Sequence, residues 1–158
     1  MKKRILISIL FLLGAGGSAF AGGDFDRLKA LVGEWESTSS EGTFRIRFQL
    51  VSNGTALMET MKTGSVDMIT VYHPDGESTL MTHYCAVGNQ PRMRAQKSSD
   101  AKMMTFQIVD VANLKGKDDG HMLRLVIRFQ DADHLTEEWT WVDKGKEATT
   151  AFHLRRVK

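Results

Sequence analysis

Apolar and polar residues alternate along most of the chain from residue 43 onwards. In the stretch TFRIRFQL, residues 43–50, apolar side chains fall on every second position, with arginine and glutamine between them. The stretch LRLVIRF, residues 123–129, repeats the pattern with Arg124 and Arg128 on the polar side. A period of two predicts half-buried β-strands whose apolar face points towards a core.

Turn signals divide this pattern into about ten short strands. Between the turns, no segment is long and helical enough to connect parallel strands. The sequence therefore predicts an all-β, antiparallel up-and-down barrel of about ten strands, because closure removes the edges of such a long meander. A two-sheet sandwich is the alternative. The predicted turns lie at Glu41-Gly42, Asn53-Gly54, Thr63-Gly64, Asp75-Gly76, Gly88-Asn89, Ser99-Asp100, Lys117 to Gly120, Asp131 to Asp133 and Lys144-Gly145.

One short helix is expected before the first strand. Phe25, Leu28 and Leu31 recur at helical spacing, which predicts one apolar face. Asp24 is a candidate cap for the start of this helix, and Gly33 can end it.

The first 21 residues have the pattern of a cleaved signal peptide. Three basic residues, Lys2 to Arg4, precede the apolar run ILISILFLL, and Ala19-Phe20-Ala21 fits the small-x-small cleavage rule. This run is too short to span a membrane, which takes about 20 apolar residues. We therefore expect a signal peptide at 1–21, one domain at 22–158, no membrane span after cleavage, and a periplasmic or secreted protein.

Charge and cysteine content narrow the possible partners. Removing the three basic residues of the leader from the 21 in the chain leaves 18, against 19 acidic residues. A near-neutral mature protein argues against nucleic acid as a partner, since such binding calls for a basic patch. The single cysteine, Cys85, cannot form an internal disulfide, so the core alone must hold the fold. The oligomeric state is left open.

The hairpin at Asn53-Gly54 predicts which residues of its two strands oppose one another. A two-residue loop would pair Phe48 with Glu59, and both would then point inward. Turns centred on Thr63-Gly64 and Asp75-Gly76 would extend this row to Met68 and His83, with Thr70, Tyr72, Met81 and Cys85 on the same face. The sequence thus predicts acidic and imidazole groups inside the barrel.

The same reasoning applies to the last three strands. A turn at Asp131 to Asp133 would pair Ile127 with Glu137 and Leu125 with Trp139, so that Glu137, Trp139 and Trp141 point inward. A turn at Lys144-Gly145 would carry this face to Arg156 and leave His153 outside.

A lumen lined by both apolar and polar groups suggests a ligand site, because unpaired buried carboxylates are costly in a packed core. The alternative is that Glu59 and Glu137 pair with Arg92 or Arg94 and are purely structural. The wall predicted to contact a small apolar molecule or lipid comprises Phe48, Glu59, Met68, Tyr72, His83, Glu137, Trp139 and Trp141. A filled barrel that acts as an interaction module is a further alternative.

The motif Leu31-Val32-Gly33-Glu34-Trp35 places Gly-x-Trp between the helix and the first strand. This arrangement resembles the calycin barrels, which comprise lipocalins, fatty-acid-binding proteins and bacterial relatives. The mature chain, including residues 83–93, HYCAVGNQPRM, is similar to exported bacterial lipocalin-like proteins of uncharacterised function. The resemblance implies a non-catalytic ligand carrier without a cofactor. It also implies that Trp35 closes one barrel end under an arginine of the last strand, for which the register favours Arg156 over Arg155.

Haem and metal chemistry are weaker alternatives. Residues 151–156, AFHLRR, loosely resemble the haem-ligating segment of nitrobindin-like barrels, which would make His153 a haem ligand in a haem enzyme or gas sensor. Glu36-Ser37-Thr38 replaces the glycine-rich continuation usual in that branch. His83 and Cys85 share a strand face, and Glu59 is the nearest acidic candidate ligand. Zinc requires three or four protein ligands, and this set is small and has no recognisable spacing motif, so no metal is expected. His83 and Cys85 lie about 7 Å apart by strand rise, too far for a thiol–base pair.

Overall fold

The computed structural model describes residues 23–39, 42–64, 66–116 and 118–158, with backbone only at Ser39 and Thr63. The predicted signal peptide and two of the predicted turn residues, Glu41 and Lys117, lie outside this part of the chain. The described elements are α1 (Asp24–Lys29), β1 (Gly33–Ser39), β2 (Gly42–Val51), a 3-10 turn (Ser52–Gly54), β3 (Ala56–Thr63), β4 (Val66–Asp75), β5 (Ser78–Tyr84), β6 (Gln90–Ala95), β7 (Met103–Ala112), β8 (His121–Phe129), β9 (His134–Asp143) and β10 (Lys146–Arg156).

The ten strands form a closed antiparallel barrel in which each strand pairs with the next along the chain. β1 and β10 complete the ring through two residue pairs, Trp35 with Arg156 and Glu36 with Arg155. The predicted up-and-down barrel is therefore confirmed, and the sandwich alternative is wrong. Within the described residues, no helix is both long and apolar enough to cross a membrane.

The predicted helix is present, although Asp24 does not cap it. Gly23 occupies the cap position, and Asp24 is the first helical residue. Arg27 fastens the helix to the barrel, because its guanidinium donates hydrogen bonds to the carbonyls of Ala101 at 2.6 Å and Met103 at 3.1 Å. The helix thereby covers the end of the barrel at which β1 begins, which we call the helix end. The opposite end is called the far end.

The hairpin between β2 and β3 has the predicted register but a different loop. Phe48 lies opposite Glu59, and Val51 and Ala56 form the last pair. The loop is therefore longer than two residues and contains the 3-10 turn, where Ser52 and Asn53 take positive φ angles of 52° and 56°. The register is unchanged because the predicted two-residue loop and the observed longer loop are both centred between Asn53 and Gly54.

The next two hairpins are each displaced by one residue from their predicted centres. Glu59 lies opposite Thr70 rather than Met68, and Thr70 lies opposite His83. The cause is glycine, since Gly64 and Gly76 take positive φ angles of 58° and 62° in the first loop position. Moving a turn by one residue changes the pairing by two. The inward face predicted for His83 is therefore preserved.

Irregular pairing between β8 and β9 changes which residue of β8 faces the lumen. Arg124 lies opposite Thr140, but Met122 lies opposite Trp141, so the register shifts between Met122 and Arg124. Such a bulge turns a side chain to the other face of the sheet. Met122 therefore faces the interior, where uninterrupted alternation would have placed Leu123.

Packed side chains fill the barrel at its helix end. Leu28 and Leu31 of the helix region lie on this core, and the Trp35 indole donates a 2.7 Å hydrogen bond to the Leu31 carbonyl. Tyr72 and Phe106 meet edge to face with their ring centroids 5.6 Å apart. The fully buried large side chains are Leu28, Trp35, Ile46, Phe48, Leu57, Tyr72, Met81, Met93, Met104, Phe106, Leu125 and Ile127.

Candidate functional site

Five polar side chains are buried together on the inner face of the barrel, and we call them the polar cluster. β3 supplies Glu59, β4 supplies Thr70 and Tyr72, β5 supplies His83, and β9 supplies Glu137. Alternation places each of them inward, on the same face as the apolar residues of its strand. Glu59 is 2% exposed and Glu137 is fully buried.

Each carboxyl group of the polar cluster receives one hydrogen bond from a neighbouring ring. The Tyr72 hydroxyl donates to Glu59 Oε2 at 2.7 Å, and the Trp139 indole donates to Glu137 Oε2 at 3.2 Å. The second oxygen of Glu137, Oε1, is buried and has no hydrogen-bond partner among the described residues. The cluster therefore presents an unpaired polar atom inside the barrel.

His83 is held on one side only. Its Nδ1 lies 3.0 Å from the Thr70 hydroxyl, and its ring centroid lies 4.8 Å from that of Trp139. Its Nε2 is buried and has no partner within the described part of the chain. Burial lowers the pKa of His83 to about 4, so this imidazole is neutral at physiological pH.

Burial also shifts the acidic groups. It raises the pKa of Glu59 to about 7, and the hydrogen bond from Tyr72 opposes the rise. The pKa of Glu137 is raised well above its usual value, first by burial and then by the nearby charge of Glu59. At neutral pH the pair therefore holds at most one negative charge rather than two.

The alternative in which Glu59 and Glu137 pair with Arg92 or Arg94 is wrong. Arg92 forms an ion pair with Asp110, and Arg94 forms one with Asp75, and all four side chains are substantially exposed on the outer surface. β6 carries both arginines on the face that alternates away from buried Met93. Arg92 and Arg94 therefore do not neutralise the buried Glu59 and Glu137 side chains.

A small cavity lies beside the polar cluster, on its far-end side. Its volume is about 40 Å³, which is room for roughly three ordered waters. Mostly apolar side chains surround it, and methionine is the commonest of them. The lining residues are Glu59, Met61, Met68, Thr70, His83, Met122, Trp139 and Phe152.

Of the eight residues predicted to contact a ligand, four line this cavity: Glu59, Met68, His83 and Trp139. Tyr72 and Glu137 lie behind the lining, where they hydrogen-bond to Glu59 and Trp139.

The other two residues of the predicted wall, Phe48 and Trp141, lie elsewhere. Phe48 belongs to the packed core. Trp141 lies outside the cavity lining and is packed so closely over Gly120 that a Cβ there would lie 2.2 Å from its ring.

Four lining residues were not in the predicted wall. Thr70 was already placed on the inner face by alternation, and Met61 and Phe152 sit on strands whose register was predicted correctly. The alternation of inward and outward positions could therefore have added these three residues to the predicted wall. Met122 is different, because only the bulge turns it inward, and the sequence contains no glycine there to signal a bulge.

Trp35 and Arg156 close the helix end. The Arg156 guanidinium carbon lies 4.2 Å from the centroid of the indole ring. The same guanidinium donates hydrogen bonds to the carbonyls of Ala30 at 2.9 Å, Val32 at 2.8 Å and Ala132 at 3.0 Å. The strand register had favoured this arginine over Arg155, which instead pairs with Glu36 on the outside.

This arrangement explains the glycine of the Gly-x-Trp motif. Gly33 has a φ angle of +138°, and a Cβ there would lie 2.8 Å from Arg156 Nη1. Only glycine accepts both the backbone conformation and the close approach of the guanidinium. The motif is thus a structural device at the end of the barrel, away from the cavity.

The residues present do not fit a haem group. His153 is exposed, and its Nδ1 lies 3.1 Å from the Thr136 hydroxyl. The cavity beside the polar cluster, at about 40 Å³, is far too small for a porphyrin. Among the described residues, no group of three or more histidine, cysteine or acidic side chains is placed to hold a metal ion.

Comparisons with known proteins add no assignment. No protein-family model matches the chain, and no curated protein matches it significantly.

Proposed function

We propose that this chain is an exported, non-catalytic barrel of calycin type that binds a small, mostly apolar molecule in its lumen. The observation that carries the proposal is the cavity between apolar side chains and the polar cluster, in which buried polar atoms lack partners. The Gly-x-Trp motif and the leader pattern of residues 1–21 support the calycin resemblance and export.

Unpartnered buried atoms favour a bound ligand on energetic grounds. A buried donor or acceptor left without a hydrogen bond costs about 1–3 kcal/mol, and two such atoms, Glu137 Oε1 and His83 Nε2, belong to the polar cluster. A ligand that hydrogen-bonds to His83 Nε2, on the cavity wall, recovers part of this cost on binding. The cluster thus acts as a polar handle at the inner end of an apolar site.

The apolar wall can adapt to a ligand larger than the present cavity. Met61, Met68 and Met122 have unbranched, flexible side chains that repack at low cost. Met68 and Met122 are only partly buried, as is Phe152, so these three lie on the route from the far end to the polar cluster. A bound tail would displace methionine side chains rather than backbone.

Native mass spectrometry of protein purified from its host tests the proposal directly. We expect a co-purifying small molecule, and we expect a panel of lipids and other apolar compounds to quench tryptophan fluorescence. Trp139→Phe should abolish the quenching because Trp139 lines the cavity. Trp141→Phe, whose indole packs over Gly120 instead, should retain it.

Thermal melts of both variants provide the folding control. A bare mass, together with a panel that leaves the fluorescence unchanged, would show a filled barrel and refute the proposal.

A further inference from the structure

The charge inside the barrel is acidic, and the nearby cations are engaged elsewhere. Arg27 bonds to backbone carbonyls under the helix, and Arg156 lies over Trp35 at the helix end. On the outer face of β8, Arg124 donates to the Thr140 hydroxyl and Arg128 pairs with Glu138. Within the described residues, no arginine or lysine hydrogen-bonds to Glu59 or Glu137.

The hydrogen-bonding character of the site is equally one-sided. Glu59 lines the cavity, and its carboxylate oxygens are acceptors only when the group is ionised. His83 Nε2 becomes another acceptor when Nδ1 carries the proton towards Thr70. A ligand group that complements these acceptors is therefore one rich in hydrogen-bond donors.

We infer that the lumen is built for a small apolar molecule with a protonated amine head group, which Glu59 holds by charge and a hydrogen bond and His83 Nε2 by a further hydrogen bond. This inference rests on the proposed function and specifies its ligand class. An ammonium group has three donors and no acceptor, so it complements acidic acceptors. A carboxylate head would bring further acceptors and like charge against Glu59, which is unfavourable in a desolvated site.

The dimensions fit a compact head group and a slender tail. The cavity of about 40 Å³ accommodates an ammonium group and its first carbons. Beyond it, the tail would run between Met68, Met122 and Phe152 towards the far end. A primary amine fits this space better than a bulky quaternary ammonium group, and it keeps the donors that these acceptors need.

Three probes with the same chain and different heads test the inference: octylamine, octanol and octanoic acid. Their binding is measured at pH 8 by tryptophan quenching and by calorimetry on the folded protein. Octylamine should bind at least tenfold more tightly than octanol, and octanoic acid should bind most weakly. If octanol or octanoic acid binds as tightly as octylamine, the head-group inference is wrong while the proposed function stands. If none of the three binds, the head-group inference is wrong, and the native mass and the wider ligand panel decide the proposed function.

Substitutions then show whether the Glu59 carboxyl group causes the preference. Glu59→Gln should reduce the octylamine-to-octanol affinity ratio by about tenfold. Glu138→Gln, on the outer face of the same strand as Glu137, should leave this ratio unchanged. An unchanged ratio in the folded Glu59→Gln protein would contradict the inference. If that variant does not fold, the three-probe comparison on the natural sequence decides alone.

Discussion

The Tyr72 hydroxyl donates a 2.7 Å hydrogen bond to Glu59 Oε2 inside the barrel, from the neighbouring strand. Tyr72 is fully buried, and burial together with the Glu59 charge raises the pKa of its hydroxyl well above 10, so it acts as a donor throughout the physiological range. This contact opposes the effect of burial on Glu59. It thus sets how readily the centre of the barrel becomes charged.

Tyr72→Phe should make Glu59 harder to ionise. The variant keeps the ring that packs on Phe106 but removes the donor, so the pKa of Glu59 should rise above about 7 by roughly one unit. Carboxyl-carbon NMR titration measures this shift. Tyr84→Phe, at an exposed position of β5, is the control and should leave the Glu59 titration unchanged. A lower pKa in Tyr72→Phe would contradict the assigned role of the hydroxyl.

The free protein should lose stability as the pH rises above 6.5. Both Glu59 and Glu137 have raised pKa values in the folded state, so their stabilising contribution is complete below the unfolded value of about 4.5 and declines as pH rises. His83, with its lowered pKa of about 4, has the opposite effect, but only below pH 6.5. Between pH 6.5 and 8.5 the ionisation of Glu59 alone should lower the free energy of unfolding by about 1 kcal/mol, and the raised pKa of Glu137 adds to this fall.

Urea denaturation at these two pH values measures the loss. Glu137→Gln should reduce the difference in unfolding free energy between pH 6.5 and 8.5. Glu138→Gln should keep it, because the pKa of Glu138 is lowered by its hydrogen bond from Arg128 and the group is ionised throughout this range. Equal stability of the natural protein at both pH values would show that the carboxyl groups are not held as described.

Octylamine affinity should increase between pH 6 and pH 8. The titratable groups facing Glu59 are Tyr72 on β4, His83 on β5 and Glu137 on β9. The raised pKa of Tyr72 and the lowered pKa of His83 keep these two groups uncharged over this range, and burial raises the pKa of Glu137 well above its usual value. Glu59 ionises near pH 7. Below that value the amine must displace a proton, so affinity should fall by up to about tenfold per pH unit.

Calorimetry in buffers of different ionisation enthalpy measures this proton release. Octanol serves as the control, because a neutral head group should show no comparable gain in affinity. An octylamine affinity that stays constant from pH 6 to pH 8 would argue against ionised Glu59 as the partner of the ammonium group.

Gly33→Ala should destabilise the helix end by roughly 1–3 kcal/mol. The added Cβ would meet Arg156 Nη1 at 2.8 Å, at a backbone φ of +138° that alanine tolerates poorly. Gly23→Ala is the matched control, since nothing lies within 4 Å of a Cβ there. Thermal unfolding of both variants tests the expectation, and similar melting temperatures for the two would refute it.

Sequence reasoning predicted the barrel because alternation and turn spacing are local signals. It also placed Glu59, His83 and Glu137 inward correctly, since displacing a turn by one residue shifts the partner by two and preserves the face. Thr70, rather than Met68, became the partner of Glu59 because glycine occupied the first loop position. The face to which a side chain points is thus predicted more reliably than its exact partner on the neighbouring strand.

Other features depended on the assembled barrel. The bulge that turns Met122 inward has no marker in the sequence. The pairing of Arg92 and Arg94 with Asp110 and Asp75 depends on neighbouring strands and outward-facing positions. The cavity volume depends on how all lining side chains pack together, which alternation alone does not specify.

Strand pairing in the barrel is least extensive where the first and last strands, β1 and β10, meet. Among the described residues, β1 and β10 share only the two pairs nearest the helix end, whereas β9 and β10 are paired along ten residues. Phe152, which borders the cavity, lies on β10 beyond those two pairs. Protection of backbone amides against hydrogen exchange should therefore decline along β10 from Arg156 towards Lys146. A ligand would enter the barrel most easily between β1 and β10.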